Sequence, residues 1–360
     1  MKTHSWRAGL IILVWLLIGN DTIAMGKTQQ ELEVLTLDQS IMYALETGRD
    51  VKRASLIKEN ATYSLVSANI DVRKYNEDDI KSLELQYEKH KANKGLEKSC
   101  ILQQQSVNET IKLITTKFYN LVHAELELDL VNRRLNRTGE LLVWPERLNT
   151  QDSKLINGNI TFIKEVQLKA QEAVDSERKI LNEVLRVDPL KNWLVLNEGK
   201  SIDIVKITEE EAFEKNIKLN IDVMQKELDL KYLYLDRDLY DAYFRLHTFD
   251  GKILKNNIKI ALLDLEDAKE KVKKRIVPLY QEYKNVSEKL ENGEKAKVKA
   301  DEIFRLKRQN FLDGIVTLAE VLKAEEELAN REKEYNSLLH KYRECLFELL
   351  PERMNTCDFK

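Results

Sequence analysis

Apolar residues recur at three- and four-residue steps over most of this chain, and that period predicts α-helices. The segment LTLDQSIMYALETGRDV (35–51) predicts a first helix, with Thr36 or Asp38 as its N-cap. A much longer pattern, 79–142, predicts a single helix that would extend roughly 90 Å at 1.5 Å per residue. A helix of that length exceeds an ordinary globular domain and is typical of a coiled coil or a tube.

The same helical period returns after each interruption. Pro145 and the segment NTQDSKLINGNIT (149–161) end the long helix, and VDPLKNWLVLNEGKSIDI (187–204) predicts a linker. FDGK (249–252) predicts a turn between two later helices. The further predicted helices are about 160–186, up to about His247, from FDGK to about Arg308, and from NFLDGIVT to about Leu350. The fold class is therefore predicted to be all-α, with long antiparallel coiled-coil-like hairpins.

Two segments share one pattern, KLINGNIT (154–161) and NFLDGIVT (310–317), and each precedes a predicted returning helix. Glycine permits the positive φ that a chain reversal needs, and a threonine can cap the next helix. ITEEEAFEKNIKL (207–219) also echoes the opening segment. These echoes predict an internal duplication. The resulting divisions are 1–24 signal peptide, 25–190 first helical repeat, 191–350 second helical repeat and 351–360 C-terminal tail.

The last predicted helix carries a heptad-like seam, which predicts left-handed coiled-coil packing. Glu325 and Glu332 occupy polar slots in this seam, and EEELANREKEY (325–335) is interpreted as a salt-bridged surface. The apolar members of the seam are Leu318, Val321, Leu328, Tyr335, Leu339, Tyr342, Leu346 and Leu349.

Composition excludes several classes of function. Charged residues make up 33% of the chain with a net charge of only −3, and no basic cluster indicates nucleic acid. The five histidines are scattered, which predicts no metal site. No glycine-rich phosphate loop, catalytic set or cofactor motif is found, so the chain is predicted not to be an enzyme. A Cys345–Cys357 bridge is one alternative, and unpaired thiols are the other.

The N-terminus has the three-part plan of a secretory signal. Lys2 and Arg7 precede the apolar run AGLIILVWLLIG, and Thr22-Ile23-Ala24 offers small residues at a cleavage site. The run is short for a membrane span, which needs roughly 20 residues. Cleavage near Ala24 is expected, with an uncleaved anchor as the alternative. The protein is therefore predicted to be exported to the cell envelope.

Taken together, the order and duplication of these motifs resemble the TolC family of outer-membrane efflux proteins. The resemblance rests on 35–51 and its echo, on the two Gly-Thr segments with the helices after them, and on FDGK. It implies a homotrimeric hollow tunnel that works with a periplasmic adaptor and an inner-membrane pump. It also implies an aperture tip and partner-contact surface; the alternative is that its residues only reverse the chain. The implied tip residues are Gly158, Asn159, Thr161, Gly314, Ile315 and Thr317.

The chain also departs from that family. The family places membrane strands between the first helix and the long helix of each half, and each strand needs about 9–11 residues of alternating polarity. The region 69–83 is too short and too charged, and 230–249 fits helical spacing better. The β-barrel strands are therefore predicted to be absent or vestigial. Pro145 and Pro278 are expected to cause kinks or local helix ends.

Two functions follow as expectations. The first is a TolC-like export component that forms or extends a tunnel and acts with a pump and an adaptor. The alternative is a scaffold or spacer protein of the envelope that uses coiled-coil interactions.

Overall fold

The structure, a computed structural model, describes residues 33–72, 80–143, 148–195, 204–243 and 246–351. The predicted signal peptide, Pro145, Cys357 and most of the tail lie outside these ranges. The elements are β1 (Glu33–Leu35), α1 (Leu37–Thr47), α2 (Arg49–Val72), α3 (Ile80–Glu140), α4 (Thr150–Leu185), β2 (Trp193–Val195), α5 (Glu209–Leu219), α6 (Ile221–Tyr243), α7 (Phe249–Leu312) and α8 (Leu318–Leu349). The all-α fold class with long helical hairpins is confirmed.

The helices follow one order twice along the chain. An 11-residue helix, α1 or α5, comes first. A medium helix follows, 24 residues in α2 and 23 in α6. Then comes a long helix, 61 residues in α3 and 64 in α7. Both short helices begin with a capping box, Thr36 with Gln39 and Thr208 with Glu211. Of the two predicted caps for the first helix, the structure uses Thr36.

The helices form two groups of four, and the long helices α3 and α7 belong to both groups. In one group α3 packs against α4 and α8, and α8 packs against α7, which gives the order α4–α3–α8–α7. In the other group α3 packs against α2 and α6, and α6 packs against α7, which gives α2–α3–α6–α7. Each group therefore has α7 at one edge and α4 or α2 at the other.

The two short strands pair with each other and contribute to an apolar core. β1 and β2 pair as a two-stranded sheet, and β1, α1, α3 and α4 enclose one apolar core with Trp193 and Val195 of β2. The buried side chain of Asn182 fixes the loop between α4 and β2. Its Oδ1 accepts from Trp193 Nε1 at 2.6 Å, and its Nδ2 donates to the carbonyls of Pro189 and Lys191 at 3.1 and 2.8 Å. These bonds satisfy a buried amide that would otherwise be destabilising.

The structure corrects the turn expected at FDGK and excludes a helix end at Pro278. A kink at Pro278, the other expected outcome, stays a prediction. FDGK is not a turn, because Thr248 caps the helix and Phe249 is its first residue. Gly251 lies inside that first turn, where a Cβ would stand 2.6 Å from the Leu246 carbonyl oxygen, so a side chain does not fit. Pro278 lies inside α7 and does not end it.

The aromatic segment that begins at Leu230 is helical as far as Tyr243, as its spacing predicts. Among the described residues, no helix combines the length and the apolar content that a membrane-spanning helix requires.

Candidate functional site: the hairpin tips and the α3–α8 interface

The turn between α7 and α8 is built by NFLDGIVT, as predicted. Gly314 has φ 76°, the left-handed region that glycine adopts without strain. The Gly314 N–H donates to the Phe311 carbonyl at 3.0 Å, and the Ile315 N–H donates to the Asn310 carbonyl at 2.8 Å. This pair of bonds is a Schellman motif, which satisfies carbonyl groups that the helix end leaves free. Ile315 stands at the tip with 70% of its surface exposed.

Thr317 then starts α8 through a capping box with Glu320. The Glu320 N–H donates to Thr317 Oγ1 at 3.4 Å, and the Thr317 N–H donates to Glu320 Oε2 at 2.9 Å. The bond from the Thr317 backbone, with Lys307 nearby, lowers the pKa of the Glu320 carboxyl below its usual value. The predicted cap role of Thr317 is therefore confirmed.

The prediction for the other segment, KLINGNIT, was wrong as to its local structure. Gly158, Asn159 and Thr161 lie within α4, which begins at Thr150. The cap of α4 is Asn149, whose Oδ1 accepts from the Asp152 N–H at 2.8 Å. The Thr161 hydroxyl donates to the carbonyl of Asn157 one turn earlier, as an interior helix residue does.

The structure nonetheless brings both tips together. One apolar cluster joins the 3-10 turn that follows α3 (Leu141–Val143), the start of α4, the end of α7 and the start of α8. It contains Leu141, Ile156, Phe304, Phe311, Leu318, Val321 and Leu328, among others. Gly158 lies nine residues after the Asn149 cap, which is about 13 Å along the helix. The predicted tip residues of the first half are thus set back from the tip.

A charged cluster lies between α3 and α8, and the sequence interpretation missed it. Glu325 and Glu332 are buried, at 2% and 6% exposure, where an exposed salt-bridged surface was predicted. Arg137 Nη2 lies 2.8 Å from Glu332 Oε2 and 3.2 Å from Glu325 Oε1. Arg134 Nε lies 3.1 Å from Glu325, and Arg133 Nη1 lies 2.6 Å from Glu332. The salt-bridged interpretation holds for Arg331, which pairs with Glu327 and Glu334 at the surface.

Burial affects the protonation of Glu325. It raises the pKa of the Glu325 carboxyl, and the two arginines only partly offset that effect. A carboxylate removed from water needs such partners because its charged form loses hydration. One signal of the cluster was visible in the sequence: acidic residues occupied two slots of an otherwise apolar seam. Their partners on α3 are nearly 200 positions away, with a separation of 195 between Arg137 and Glu332.

Other polar side chains of α3 and α8 contact each other beyond the charged cluster. Glu127 Oε1 accepts from Asn336 Nδ2 at 3.3 Å, and Lys112 Nζ lies 2.6 Å from Glu348 Oε1. The rings of His123 and His340 stack with their centroids 4.7 Å apart. Within the described ranges, no three metal-ligating side chains come together. Cys100 and Cys345 carry free thiols.

Comparisons with known proteins place the fold. No family model and no curated protein matches the sequence. The solved structures that it resembles include the outer membrane protein VceC of Vibrio cholerae, with 13% identity, a TM-score of 0.58, and 87% of this chain and 95% of that chain covered. The CmeC outer membrane channel of Campylobacter jejuni has 11% identity and a TM-score of 0.57, with 93% of both chains covered. The open-state MtrE outer membrane channel of Neisseria gonorrhoeae has 13% identity and a TM-score of 0.61, with 88% of both chains covered. The chain therefore has the fold of these outer membrane channels, as the resemblance to the TolC family implied.

Proposed function

We propose that this chain is a TolC-like export component of the cell envelope, in which three copies close their helices into a conduit. An adaptor and an inner-membrane pump would act with it, and the conduit itself would carry out no catalysis. The fold shared with outer membrane channels supports this proposal. The observation that carries it is that the two edges of each helix group differ: α2 or α4 forms one edge, and α7 forms the other.

Both edges expose apolar side chains at coiled-coil spacing. On α2 these are Leu56, Tyr63, Val66 and Ile70, and on α7 they are Phe249, Ile253, Ile260 and Leu263, all at least half exposed. Steps of three, four and seven residues place each set on one face of its helix. Exposed apolar faces of this kind are typical of interaction surfaces.

The edges differ, so one copy would place its α2 and α4 edge against the α7 edge of the next. Such head-to-tail contacts generate a ring when the rotation closes. Further exposed apolar residues lie in the group α4–α3–α8–α7. They are Leu155, Phe162 and Leu168 on α4, and Ile303 and Leu306 on α7. Exposed apolar residues on both groups of helices are therefore available to a second copy.

The element order that appears twice supports an internal duplication, with 25–190 and 191–350 as the two repeats. Each repeat contributes one hairpin to the tips, α3–α4 and α7–α8. We place the partner-contact surface at these tips, formed by Gly314, Ile315 and Thr317. Gly158, Asn159 and Thr161 would extend that surface along α4.

The first test is the mass and outline of residues 25–360 purified without detergent, by light scattering and negative-stain images. A trimer of tubular outline is expected. The variants Ile260→Glu on α7 and Tyr63→Glu on α2 should each yield monomers, because a charge on the seam would be buried without a partner. Leu190→Glu is the matched control, since Leu190 is exposed in the loop before β2 and belongs to none of the helices α2, α4 and α7. A wild-type monomer would contradict the conduit and favour the envelope scaffold.

The tip is tested separately by a photo-crosslinking amino acid at Ile315 in the host cell. An adduct with a second envelope protein is expected, and position 159 should give the same adduct. Position 190 is the control and should give none. Adducts only between copies of this chain would argue against a partner at the tip.

A further inference from the structure

A pair of histidines joins α3 to α8 at the contact between the two halves of the chain. The rings of His123 and His340 are nearly parallel, 17° apart, with centroids separated by 4.7 Å. Both side chains are half-buried. His123 Nδ1 is buried, and no hydrogen-bond partner for it lies within the described residues. Stacked neutral imidazoles pack well there, because aromatic faces attract when offset.

The surroundings of the pair are rich in cations. On α8, Lys333 and Arg343 both act on the charge of His123. The carboxylate of Glu344 lies 3.4 Å from His340 Nε2, so His340 has an acidic partner.

Other charged groups near the pair are already engaged. On α3, Glu127 accepts from Asn336 of α8. The guanidinium of Arg343 lies 5.1 Å from the ring centre of Tyr119, also on α3. On α7, Glu282 pairs with Lys341 of α8 at 2.7 Å. On α4, Arg178 faces Glu125 of α3 at 3.9 Å.

We propose that the His123–His340 stack is a pH-sensitive contact, which holds α8 against α3 when His123 is neutral and weakens when His123 is protonated. A proton on His123 places a positive charge in a half-buried stack, beside the cations Lys333 and Arg343 of α8. Like charges repel more strongly where water is partly excluded.

The sign of the effect follows from the pKa of His123. Burial lowers it, and His340, Arg343 and Lys333 lower it further. An unfolded histidine titrates near pH 6.5. The unfolded chain therefore binds this proton more readily than the folded chain. Stability from this contact is fully present above pH 6.5, and it is lost as pH falls from there through the lowered folded value.

Nearby carboxyls respond in the opposite direction at lower pH. Burial raises the pKa values of Glu125 and Glu127, so these groups take up protons more readily in the folded chain. Their contribution to the stability of the folded chain rises as pH falls towards the unfolded pKa of glutamate, near 4.3. These carboxyls are retained in the double variant below, so the difference between the two proteins reports on the histidines.

The test uses the double variant His123→Phe/His340→Phe, which keeps two stacked aromatic rings and removes both protonation sites. Amide exchange of residues 333–346, corrected for the intrinsic effect of pH, is measured by mass spectrometry at pH 8 and 5.5. In the wild type we expect protection to fall about threefold or more at pH 5.5, because the lowered folded pKa of His123 makes the open chain the better proton acceptor. In the double variant protection should stay constant. The same loss in both proteins would overturn the proposal, as would no loss in the wild type.

His90→Phe is the matched control, because His90 contacts Asp236 of α6 and lies away from α8. It should leave the loss of protection unchanged. If the double variant does not fold, the single variant His340→Gln is used instead. The titration of His123 is then followed by NMR of histidine rings labelled with ¹³C. Removal of the neighbouring charge should raise the pKa of His123. An unchanged His123 titration would contradict the coupling. This pH response does not depend on whether the chain forms a conduit.

Discussion

Arg137 of α3 contacts Glu325 and Glu332 of α8 at the same time, at 3.2 and 2.8 Å from its Nη2 atom. The two carboxylates lie two turns apart on one face of α8, so a single guanidinium spans both turns. Because α3 belongs to the first half of the chain and α8 to the second, this bridge fastens the halves to each other. Its strength depends on burial, since both carboxylates are almost fully removed from water.

Arg137→Met should destabilise the protein by about 3 kcal/mol, because removal of one partner leaves a buried carboxylate poorly compensated. Urea unfolding monitored by circular dichroism measures this change. The control is Arg331→Met, which breaks two surface pairs and should leave the unfolding midpoint unchanged. Equal effects of the two substitutions would mean that the buried cluster contributes nothing special.

Gly314→Ala and Gly158→Ala should change stability in opposite directions. At Gly314 the positive φ strains an alanine, with an expected loss of about 1–2 kcal/mol. At Gly158 the helix is regular and nothing lies within 4 Å of an added Cβ, so a gain of about 0.5–1 kcal/mol is expected. Thermal unfolding of the two variants provides the comparison. A loss at position 158 would contradict its placement inside α4.

Thr317→Ala should cost about 1 kcal/mol, because the N-cap of α8 loses its side-chain acceptor. Thr161→Ala, the matched threonine in the first half, should be close to neutral, since its hydroxyl only returns to the Asn157 carbonyl. The same unfolding assay distinguishes the two. A similar cost at both positions would indicate that Thr161 also caps a helix.

Cys345 should resist thiol reagents in the folded protein. Its burial, with Glu282 nearby, raises the pKa of its thiol to about 11, so little thiolate exists at pH 8. Its labelling by N-ethylmaleimide at pH 8, followed by mass spectrometry, should be at least about 100-fold slower than in urea. The rate should rise as pH increases towards 11. Fast labelling in the native protein would show that the buried Cys345 becomes exposed to solvent.

Much of the secondary structure was predictable because its signals are local. The long helix expected over 79–142 is α3, Ile80–Glu140, and the last helix ends at Leu349, next to the expected Leu350. Seven of the eight apolar seam residues on α8 are buried as their period predicts, and Leu346 is partly buried. Steps of three and four residues bring side chains to one face within a single helix, so no distant contact is needed.

The first tip shows where local signals failed. KLINGNIT matches the real turn NFLDGIVT in residue types, yet its glycine is tolerated within α4 at a modest cost. The structural counterpart of Thr317 is Asn149, which lies just beyond Pro145 in the sequence and completes a capping box with Asp152. A cap that carries both partners, three residues apart, was a stronger signal than a glycine followed by a threonine.

The sequence by itself determined the helical class, the extent of α3 and α8, the turn at Gly314 and the apolar seam of α8. Each of these depends on residues within one or two turns of each other. Only the tertiary structure decided that Glu325 and Glu332 are buried, that Arg137 is their partner and that His123 stacks on His340. Those contacts join residues about 200 positions apart, and they form only because the packing of α3 against α8 excludes water from groups that would otherwise stay solvated.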